Sequence, residues 1–235
     1  MGDALTLSIR ELIAETPYTR LLRLDLNQDR FTYRAGQAAV IGAHGQPLRR
    51  PYSIASAPEE SRDERYLEFL VRVDPGGGLG PHLPNAAPGS RVDLEGPYGS
   101  FVFPADAREE HLLFIAGGTG IAPLRAMLQH VLRTPRDRTI GLLYSARSPD
   151  DFAYEQELRA LAAAGRIRLE LTVTRNAPPD WRGGRGRIDR QMLATTLTNP
   201  ATLCFLCGPQ SLIADLPPLL RQLGISDSRI RVEQW

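Results

Sequence analysis

A glycine-rich segment at residues 117–123 contains the residue types that most clearly point to chemistry, between an apolar run and a helical pattern. Glycines let the backbone approach a ligand closely, and Pro123 suits the first turn of a helix. Because N–H groups at a helix N-terminus attract anions, Gly118, Thr119 and Gly120 are candidates for a phosphate-binding loop. Pro123 replaces the third glycine of the dinucleotide fingerprint, so an ordinary strand-to-helix turn is the alternative.

A second group of polar side chains lies in the run Arg-Arg-Pro-Tyr-Ser at residues 49–53. Strand alternation places Arg50 and Tyr52 on one face and Ser53 on the other. An arginine fork binds phosphate oxygens, an aromatic ring can stack on a flat heterocycle, and a hydroxyl can bind a ring nitrogen. The alternative is a half-exposed barrel strand with an arginine rim.

The two cysteines of the chain, Cys204 and Cys207, form a C-x-x-C pattern. Such spacing is found in redox dithiols and in halves of metal sites. No second cysteine pair is present to complete a metal site, and strand alternation sends the two side chains to opposite faces. We therefore predict no metal site and no disulfide, and a small core residue is the alternative reading of Cys207.

Composition narrows the function classes. The chain has 235 residues, 42% of them hydrophobic, which is enough for two domains with their own cores. A formal net charge of +1 favours neither nucleic acid nor a membrane surface as a partner. All 28 basic residues are arginine, which excludes Schiff-base lysines. No signal peptide or long apolar run is evident, so we expect a cytoplasmic protein without membrane insertion.

The rhythm of apolar residues changes near residue 105. Before it, short alternating runs separated by Gly, Pro, Asn and Asp indicate antiparallel strands in a barrel or sandwich. After it, continuous apolar runs alternate with helical stretches, which predicts a parallel sheet wrapped by helices. The predicted helical stretches are 121–133, 151–164, 188–197 and 209–223. We predict an N-terminal antiparallel β-barrel at 1–105 and a C-terminal α/β domain at 106–235.

Five motifs, in this order, resemble those of the ferredoxin–NADP reductase family, and the resemblance covers nearly the whole chain. The motifs are Arg50-Pro51-Tyr52-Ser53, Gly96-Pro97-Tyr98-Gly99-Ser100-Phe101, Gly117 to Pro123, Cys207-Gly208-Pro209 and the terminal Glu233-Gln234-Trp235. The resemblance implies an FAD-binding barrel followed by a domain that binds NAD(P)H.

For the flavin, the resemblance implies a role for each residue of the first motif. Arg50 would hold the FAD pyrophosphate, Tyr52 would lie against the isoalloxazine or ribityl chain, and Ser53 would hydrogen-bond the flavin near N5, where hydride arrives. The backbone groups of Val71 and Val73 would contact the ribityl chain.

The resemblance also implies a second phosphate loop, at residues 77–83. The family usually has a hydroxyl residue where this chain has Gly80. The phosphate would therefore depend on backbone N–H groups of Gly77, Gly78 and Gly80, with help from His82. A solvated loop histidine is the alternative for His82.

For the nicotinamide nucleotide, the resemblance implies that Gly118, Thr119 and Gly120 cradle the pyrophosphate at the helix that Pro123 helps to start.

At the reacting end of the nucleotide, Cys207, Gly208 and Pro209 would flank the nicotinamide ring, and Cys207 would position the donor carbon instead of acting as a nucleophile. Glu233 would relay a proton. Trp235 would cover the flavin and move aside for hydride transfer, and a core plug or frayed end is the alternative.

The choice between NADPH and NADH depends on the residues that follow the second and third strands of the α/β domain. Ser145, Arg147 and Arg175 are there, and a hydroxyl with two arginines could hold a 2′-phosphate. Three acidic residues lie close by in the sequence: Asp150, Asp151 and Glu155. We favour NADPH over NADH.

The resemblance therefore implies an FAD-dependent NAD(P)H oxidoreductase that passes electrons to a separate carrier protein, such as a ferredoxin, a flavodoxin or an oxygenase component. The carrier is expected to be separate because no iron–sulfur cysteine set is present. Two alternatives stay open: an NAD(P)H:flavin reductase that uses free flavin as a substrate, and an accessory flavin-binding subunit in a larger electron-transfer complex.

Overall fold

The computed structural model describes residues 4–73, 76–175 and 177–234. The chain divides into two units. The first unit is Met1–Phe103 with Arg125–Arg133, and the second is Pro104–Leu124 with Thr134–Trp235.

The first unit is built on a six-stranded antiparallel sheet with the strand order β4-β3-β6-β1-β2-β5. Its elements are β1 (Leu5–Thr16), β2 (Thr19–Asp25), β3 (Ala38–Ala43), β4 (Arg50–Ser53), α1 (Pro58–Glu64), β5 (Tyr66–Arg72) and β6 (Arg91–Tyr98). Apolar and polar side chains alternate along its strands, so that the apolar ones form the core on one face. On β2, for example, the fully buried Leu22 and Leu24 flank the half-buried Arg23. Ile41 and Phe69 complete the same buried cluster from other strands.

The outer strands of this sheet, β4 and β5, meet at one isolated bridge between Ile54 and Phe69. Beside the bridge, the Ala55 N–H donates to the Glu68 carbonyl oxygen at 2.7 Å. On either side of this point, no other strand of the described sheet pairs with the outer edges of β4 and β5. Strand edges of this kind present backbone N–H and C=O groups to whatever lies beside them.

The second unit is built on a six-stranded parallel sheet with the strand order β10-β9-β8-β7-β11-β12. Its strands are β7 (His111–Gly117), β8 (Thr139–Ala146), β9 (Arg168–Val173), β10 (Gly184–Arg185), β11 (Leu203–Gly208) and β12 (Ile230–Gln234). Four helices follow β7, β8, β10 and β11 respectively: α2 (Ile121–Arg133), α3 (Glu155–Ala163), α4 (Arg190–Thr196) and α5 (Gln210–Gln222). An antiparallel β domain followed by a parallel α/β domain confirms the predicted fold class.

The strand order of the second unit reverses between β7 and β11. The chain runs from β7 through β8 and β9 towards one edge of the sheet, and then places β11 and β12 on the other side of β7. In open α/β sheets, ligands bind at such a reversal, outside the carboxyl ends of the strands. In this chain those ends are Gly117 and Gly208.

None of the helices in the described residues combines the length and the apolar character that a membrane span needs.

We expect Phe69→Ala to lower the free energy of unfolding by about 3–5 kcal/mol, because it leaves a cavity in the core beside the only bridge between β4 and β5 among the described residues. Denaturant unfolding followed by circular dichroism measures the change. Tyr18→Ala removes an aromatic side chain that is 61% exposed, and should change the free energy by less than about 0.5 kcal/mol. Equal losses in the two variants would contradict this account of the core.

Candidate functional site

The loop after β7 has a backbone that requires glycine. Gly118 has a φ of +55°, and residues 118–120 form a single 3₁₀ turn before α2. A Cβ on Gly120 would collide with the carbonyl group of Cys207 and lie 2.8 Å from the Gly208 nitrogen. The Gly118–Gly120 turn therefore lies directly against the carboxyl end of β11.

The loop after β11 approaches the same place from the neighbouring strand. A Cβ on Gly208 would lie 3.2 Å from the Gly117 Cα, and one on Gly117 would lie 2.8 Å from both Pro209 and Leu212. The two loops thus touch backbone to backbone at the point where the strand order reverses. A cradle of main-chain groups at a helix N-terminus fits a phosphate-bearing ligand.

Tyr144 supports this cradle, and the sequence analysis did not identify it. Its side chain is fully buried, and its hydroxyl donates to the Gly118 carbonyl oxygen at 3.1 Å while accepting from the Ala153 N–H at 3.2 Å. A buried tyrosine hydroxyl usually has a hydrogen-bond partner. The single aromatic residue in the otherwise small and aliphatic strand β8 was the signal available in the sequence.

The residues expected to select the nucleotide follow β8 and β9. Ser145 is 9% exposed and pairs with Gly117, whereas Arg147 and Arg175 are exposed. The Arg175 N–H donates to the Arg147 carbonyl oxygen at 3.0 Å, which brings the two arginines together at one end of the sheet.

Two of the three neighbouring acidic residues have local partners. Asp151 accepts hydrogen bonds from the N–H and the hydroxyl of Ser148, at 3.1 and 2.9 Å. Glu155 forms an ion pair with Arg159 at 2.7 Å, one turn along α3.

Cys207 and Glu233 are cross-strand neighbours on β11 and β12. The Cys207 Sγ lies 3.9 Å from a Glu233 carboxylate oxygen. Burial, with the Glu233 charge as a smaller cause, holds the pKa of the Cys207 thiol far above its usual value. Cys207 is therefore a neutral thiol, which suits the expected positioning role and not a nucleophilic one.

Glu233 is half-buried, and burial raises the pKa of its carboxyl to about 7. A carboxyl with such a pKa can hold or release a proton near neutral pH. The terminal Trp235, predicted to cover the flavin, lies outside the described residues.

The first predicted flavin motif forms the edge strand β4. Arg50 is exposed, while Tyr52 and Ser53 are half-buried. The Tyr52 hydroxyl and His82 Nε2 share a hydrogen bond of 2.8 Å, and the two rings stack with centroids 5.5 Å apart and planes inclined by 22°. Tyr52 is therefore held in a fixed orientation.

His82 is fully buried, and so is not the solvated loop histidine that was the alternative from the sequence. Its Nε2 shares its hydrogen bond with the Tyr52 hydroxyl, and its contact with a phosphate stays a prediction. The sequence placed His82 in a loop but gave no sign that the loop packs against Tyr52, 30 residues earlier.

The glycine loop expected to bind the second FAD phosphate is open. Gly77 and Gly78 are exposed and Gly80 is half-buried. Gly77 and Gly80 have φ values of +83° and +90°, and a Cβ on Gly77 would meet nothing within 4 Å. The backbone conformation, and not a lack of space, thus requires glycine here.

The two valines expected beside the ribityl chain differ in exposure. Val71 is fully buried on β5, and Val73 is half-buried just beyond it. The Val73 N–H already donates to the Tyr18 carbonyl oxygen at 2.8 Å. Any backbone contact of Val73 with a ligand must therefore use its carbonyl group.

No group of three or more His, Cys, Asp or Glu side chains in the described residues is placed to hold a metal ion.

Two family comparisons divide the chain in the same way as its sheets. Residues 5–103 match the family described as "Oxidoreductase FAD-binding domain", and residues 114–217 match "Oxidoreductase NAD-binding domain". The chain is 33% identical over 244 residues to ferredoxin–NADP reductase B of Sorangium cellulosum, covering 99% of this chain and 97% of that protein. It is 30% identical to NADH-cytochrome b5 reductase 2 of Aspergillus terreus over 79% of this chain, but spans only 63% of that protein.

Solved structures share the fold at lower identity. The FAD/NAD-binding domain of a Vibrio cholerae nitric oxide dioxygenase has a TM-score of 0.83 at 23% identity, with 98% of each chain covered. A Neisseria gonorrhoeae ferredoxin NADP⁺ reductase with bound FAD and NADP has a TM-score of 0.79 at 21% identity, covering 100% of this chain and 99% of that chain. The relative aligned along its whole length and the two family matches show that the chain belongs to the ferredoxin–NADP reductase family of FAD-containing NAD(P)H oxidoreductases.

Proposed function

We propose that this reductase takes a hydride from NADPH onto FAD and passes the electrons to a separate carrier protein. The observation that carries the nucleotide part is the backbone contact between the loops at Gly117–Gly120 and Cys207–Gly208, at the reversal of the strand order. We further propose that residues 1–105 bind FAD and that residues 106–235 bind the nicotinamide nucleotide.

In the proposed flavin site, the exposed Arg50 holds the FAD pyrophosphate and the oriented Tyr52 lies against the flavin or its ribityl chain. Ser53 hydrogen-bonds near N5. FAD, when bound, supplies a centre that accepts two electrons as a hydride and can release them one at a time. Support comes from the outer edges of β4 and β5, with which no further strand pairs in the described residues beyond the Ile54–Phe69 bridge.

The structure changes the role that we propose for His82. Its buried ring holds the Tyr52 hydroxyl, so we assign it to positioning Tyr52 and leave the second phosphate to the N–H groups of Gly77, Gly78 and Gly80. Val71 and Val73 remain proposed neighbours of the ribityl chain, with Val73 acting through its carbonyl group.

In the proposed nucleotide site, Gly118, Thr119 and Gly120 bind the pyrophosphate at the start of α2. The neutral thiol of Cys207, with Gly208 and Pro209, positions the nicotinamide ring.

At the reacting end, Glu233 holds a proton at its carboxyl group, in line with its raised pKa. The proposed cover provided by Trp235 rests on the family resemblance alone.

NADPH is the proposed donor because Arg147 and Arg175 lie together beyond β8 and β9, and Ser145 adds a hydroxyl nearby. Guanidinium groups bind phosphate by charge-assisted hydrogen bonds, and the 2′-phosphate is the group that distinguishes NADPH from NADH.

The electron acceptor is proposed by analogy with the named relatives. The Sorangium cellulosum relative carries ferredoxin in its name, and the Aspergillus terreus relative carries cytochrome b5. We favour ferredoxin because the relative with that name aligns along 99% of this chain. Reduction of free flavin is the second candidate, since the loop at Gly77–Gly80 offers a phosphate only backbone groups and is open.

The first test is the visible spectrum of the purified protein before and after anaerobic NADPH. We expect bound FAD that NADPH bleaches, and Gly120→Ala should retain FAD but slow the bleaching by at least about tenfold, because its Cβ displaces the loop after β11. Gly165→Ala, before β9, strains a glycine whose φ is +68° but creates no contact within 4 Å, so it is the control for a general loss of stability. A colourless protein that cannot be reconstituted with FAD but reduces added flavin would instead support flavin reductase activity.

We expect Arg147→Ala and Arg175→Ala each to lower the ratio of kcat/KM for NADPH to that for NADH by about tenfold, because each removes a charge-assisted contact with the 2′-phosphate. Steady-state reduction of an artificial dye measures both values. Arg168→Ala is a matched control, because Arg168 is exposed at the opposite, amino end of β9. An unchanged ratio in both test variants would remove the basis for preferring NADPH.

We expect flavin reduction by NADPH to slow as the pH rises through about 7, because the Glu233 carboxyl then loses the proton that its raised pKa keeps in place at lower pH. Glu233→Gln should remove this limb of the pH profile. Anaerobic stopped-flow kinetics between about pH 5.5 and 8.5 measures the effect. Glu170→Gln, a surface carboxyl 47% exposed, should keep the wild-type profile, and a wild-type profile in Glu233→Gln would exclude the proton role.

A further inference from the structure

The first unit contains a buried cluster of charges to which the sequence analysis gave no role. Arg125 is 6% exposed, and both of its terminal nitrogens donate to the Glu60 carboxylate, at 3.2 and 3.3 Å. Its Nη1 also lies 3.7 Å from the carboxylate of Glu68, which is 1% exposed. We call these three residues the Arg125 cluster.

The Arg125 cluster is attached to the backbone that directly follows the edge strand β4. Arg125 Nη1 donates to the Ala55 carbonyl oxygen at 2.9 Å, and a Glu60 carboxylate oxygen accepts from the Ala57 N–H at 2.7 Å. From the other side, the Glu68 carbonyl oxygen accepts from the Ala55 N–H at 2.7 Å. Residues 55–57 are thus held by side chains and backbone that come from three separate segments.

A fourth charge fixes the cluster in place. Arg23 Nε donates to the Glu68 carboxylate at 2.7 Å, on β2 beside β5. Removing charged groups from water is costly, and a well-packed apolar cluster of similar volume is often at least as stable. Such a cluster fixes the positions of the groups it binds, because a guanidinium fork sets both the direction and the distance of its hydrogen-bond acceptors.

We propose that Arg125 is a positioning residue for the flavin strand, and this proposal rests on the proposed role of Ser53 at FAD. Ala55 is two residues after Ser53, and no strand in the described part of the chain pairs with the outer side of β4 beyond the Ile54–Phe69 bridge. By fixing the Ala55 carbonyl group directly, and the Ala57 N–H through Glu60, Arg125 sets the position of the Ser53 hydroxyl.

The test compares Arg125→Lys with Arg133→Met in FAD-loaded protein. Lysine keeps the charge but loses the fork, so the limiting rate of flavin reduction at saturating NADPH should fall about tenfold or more, while the Kd for NADPH stays within about twofold. Arg133 lies on the same helix and pairs with Glu60 at 3.4 Å, but the structure shows no bond from it to Ala55. Arg133→Met should therefore keep the wild-type limiting rate.

The circular dichroism of the bound flavin provides a readout that a loss of stability alone would not change. We expect it to differ from wild type in Arg125→Lys and not in Arg133→Met. A wild-type limiting rate in FAD-loaded Arg125→Lys would overturn the proposal, and so would an equal loss in both variants.

If Arg125→Lys does not retain FAD, Arg125→Met combined with Glu60→Gln removes an opposite pair of charges and leaves Glu68 its contact with Arg23. This double variant should show the same loss of limiting rate, and a wild-type rate would overturn the proposal. A wild-type protein that takes up no FAD would overturn the proposed function together with this inference. A wild-type protein that works normally, with unaffected variants, would overturn this inference alone.

Discussion

The second unit depends on one constraint, the contact between two loop backbones at the carboxyl ends of adjacent parallel strands. Gly117 is the last residue of β7, and Gly208 is the last residue of β11. The Cys207 carbonyl group lies where a side chain on residue 120 would otherwise be, which is why that residue is glycine. Because these loops touch through main-chain atoms, no side chain lies between them at the start of α2. Tyr144 connects the core to the same loop, because its fully buried ring carries the hydroxyl that donates a hydrogen bond to the Gly118 carbonyl oxygen.

In the first unit, the proposed flavin site lies instead beside strand edges that no further strand of the described sheet pairs with. In the described residues the outer strands meet at a single bridge, and no further strand pairs with the rest of their outer edges. Strand edges of this kind are open to unwanted association unless something else covers them. The buried charges of the Arg125 cluster and the stacked pair of Tyr52 and His82 hold the backbone and the ring near these edges. Rigidity that the sheet does not supply locally is therefore supplied by side chains.

The sequence predicted most reliably the features that depend on neighbouring residues. Apolar runs and helical periodicity predicted both sheets, and the first helix of the α/β domain was expected at 121–133, where the structure has Ile121–Arg133. His82, Tyr144 and Arg125 could not be placed in this way. Each acts on a partner far along the chain, as with Arg125 and Glu60, 65 residues apart, and periodicity contains no information about such pairs. The roles of the predicted site residues remain predictions.

The burial of both cysteine thiols has a consequence for their reactivity. Cys204 and Cys207 are buried free thiols, and burial raises the pKa of Cys204 to about 12 and that of Cys207 well above its usual value. Peroxide and alkylating agents attack the thiolate form, which these two residues hardly populate. The sulfur beside the proposed nicotinamide site is thus kept in its protonated, less reactive form.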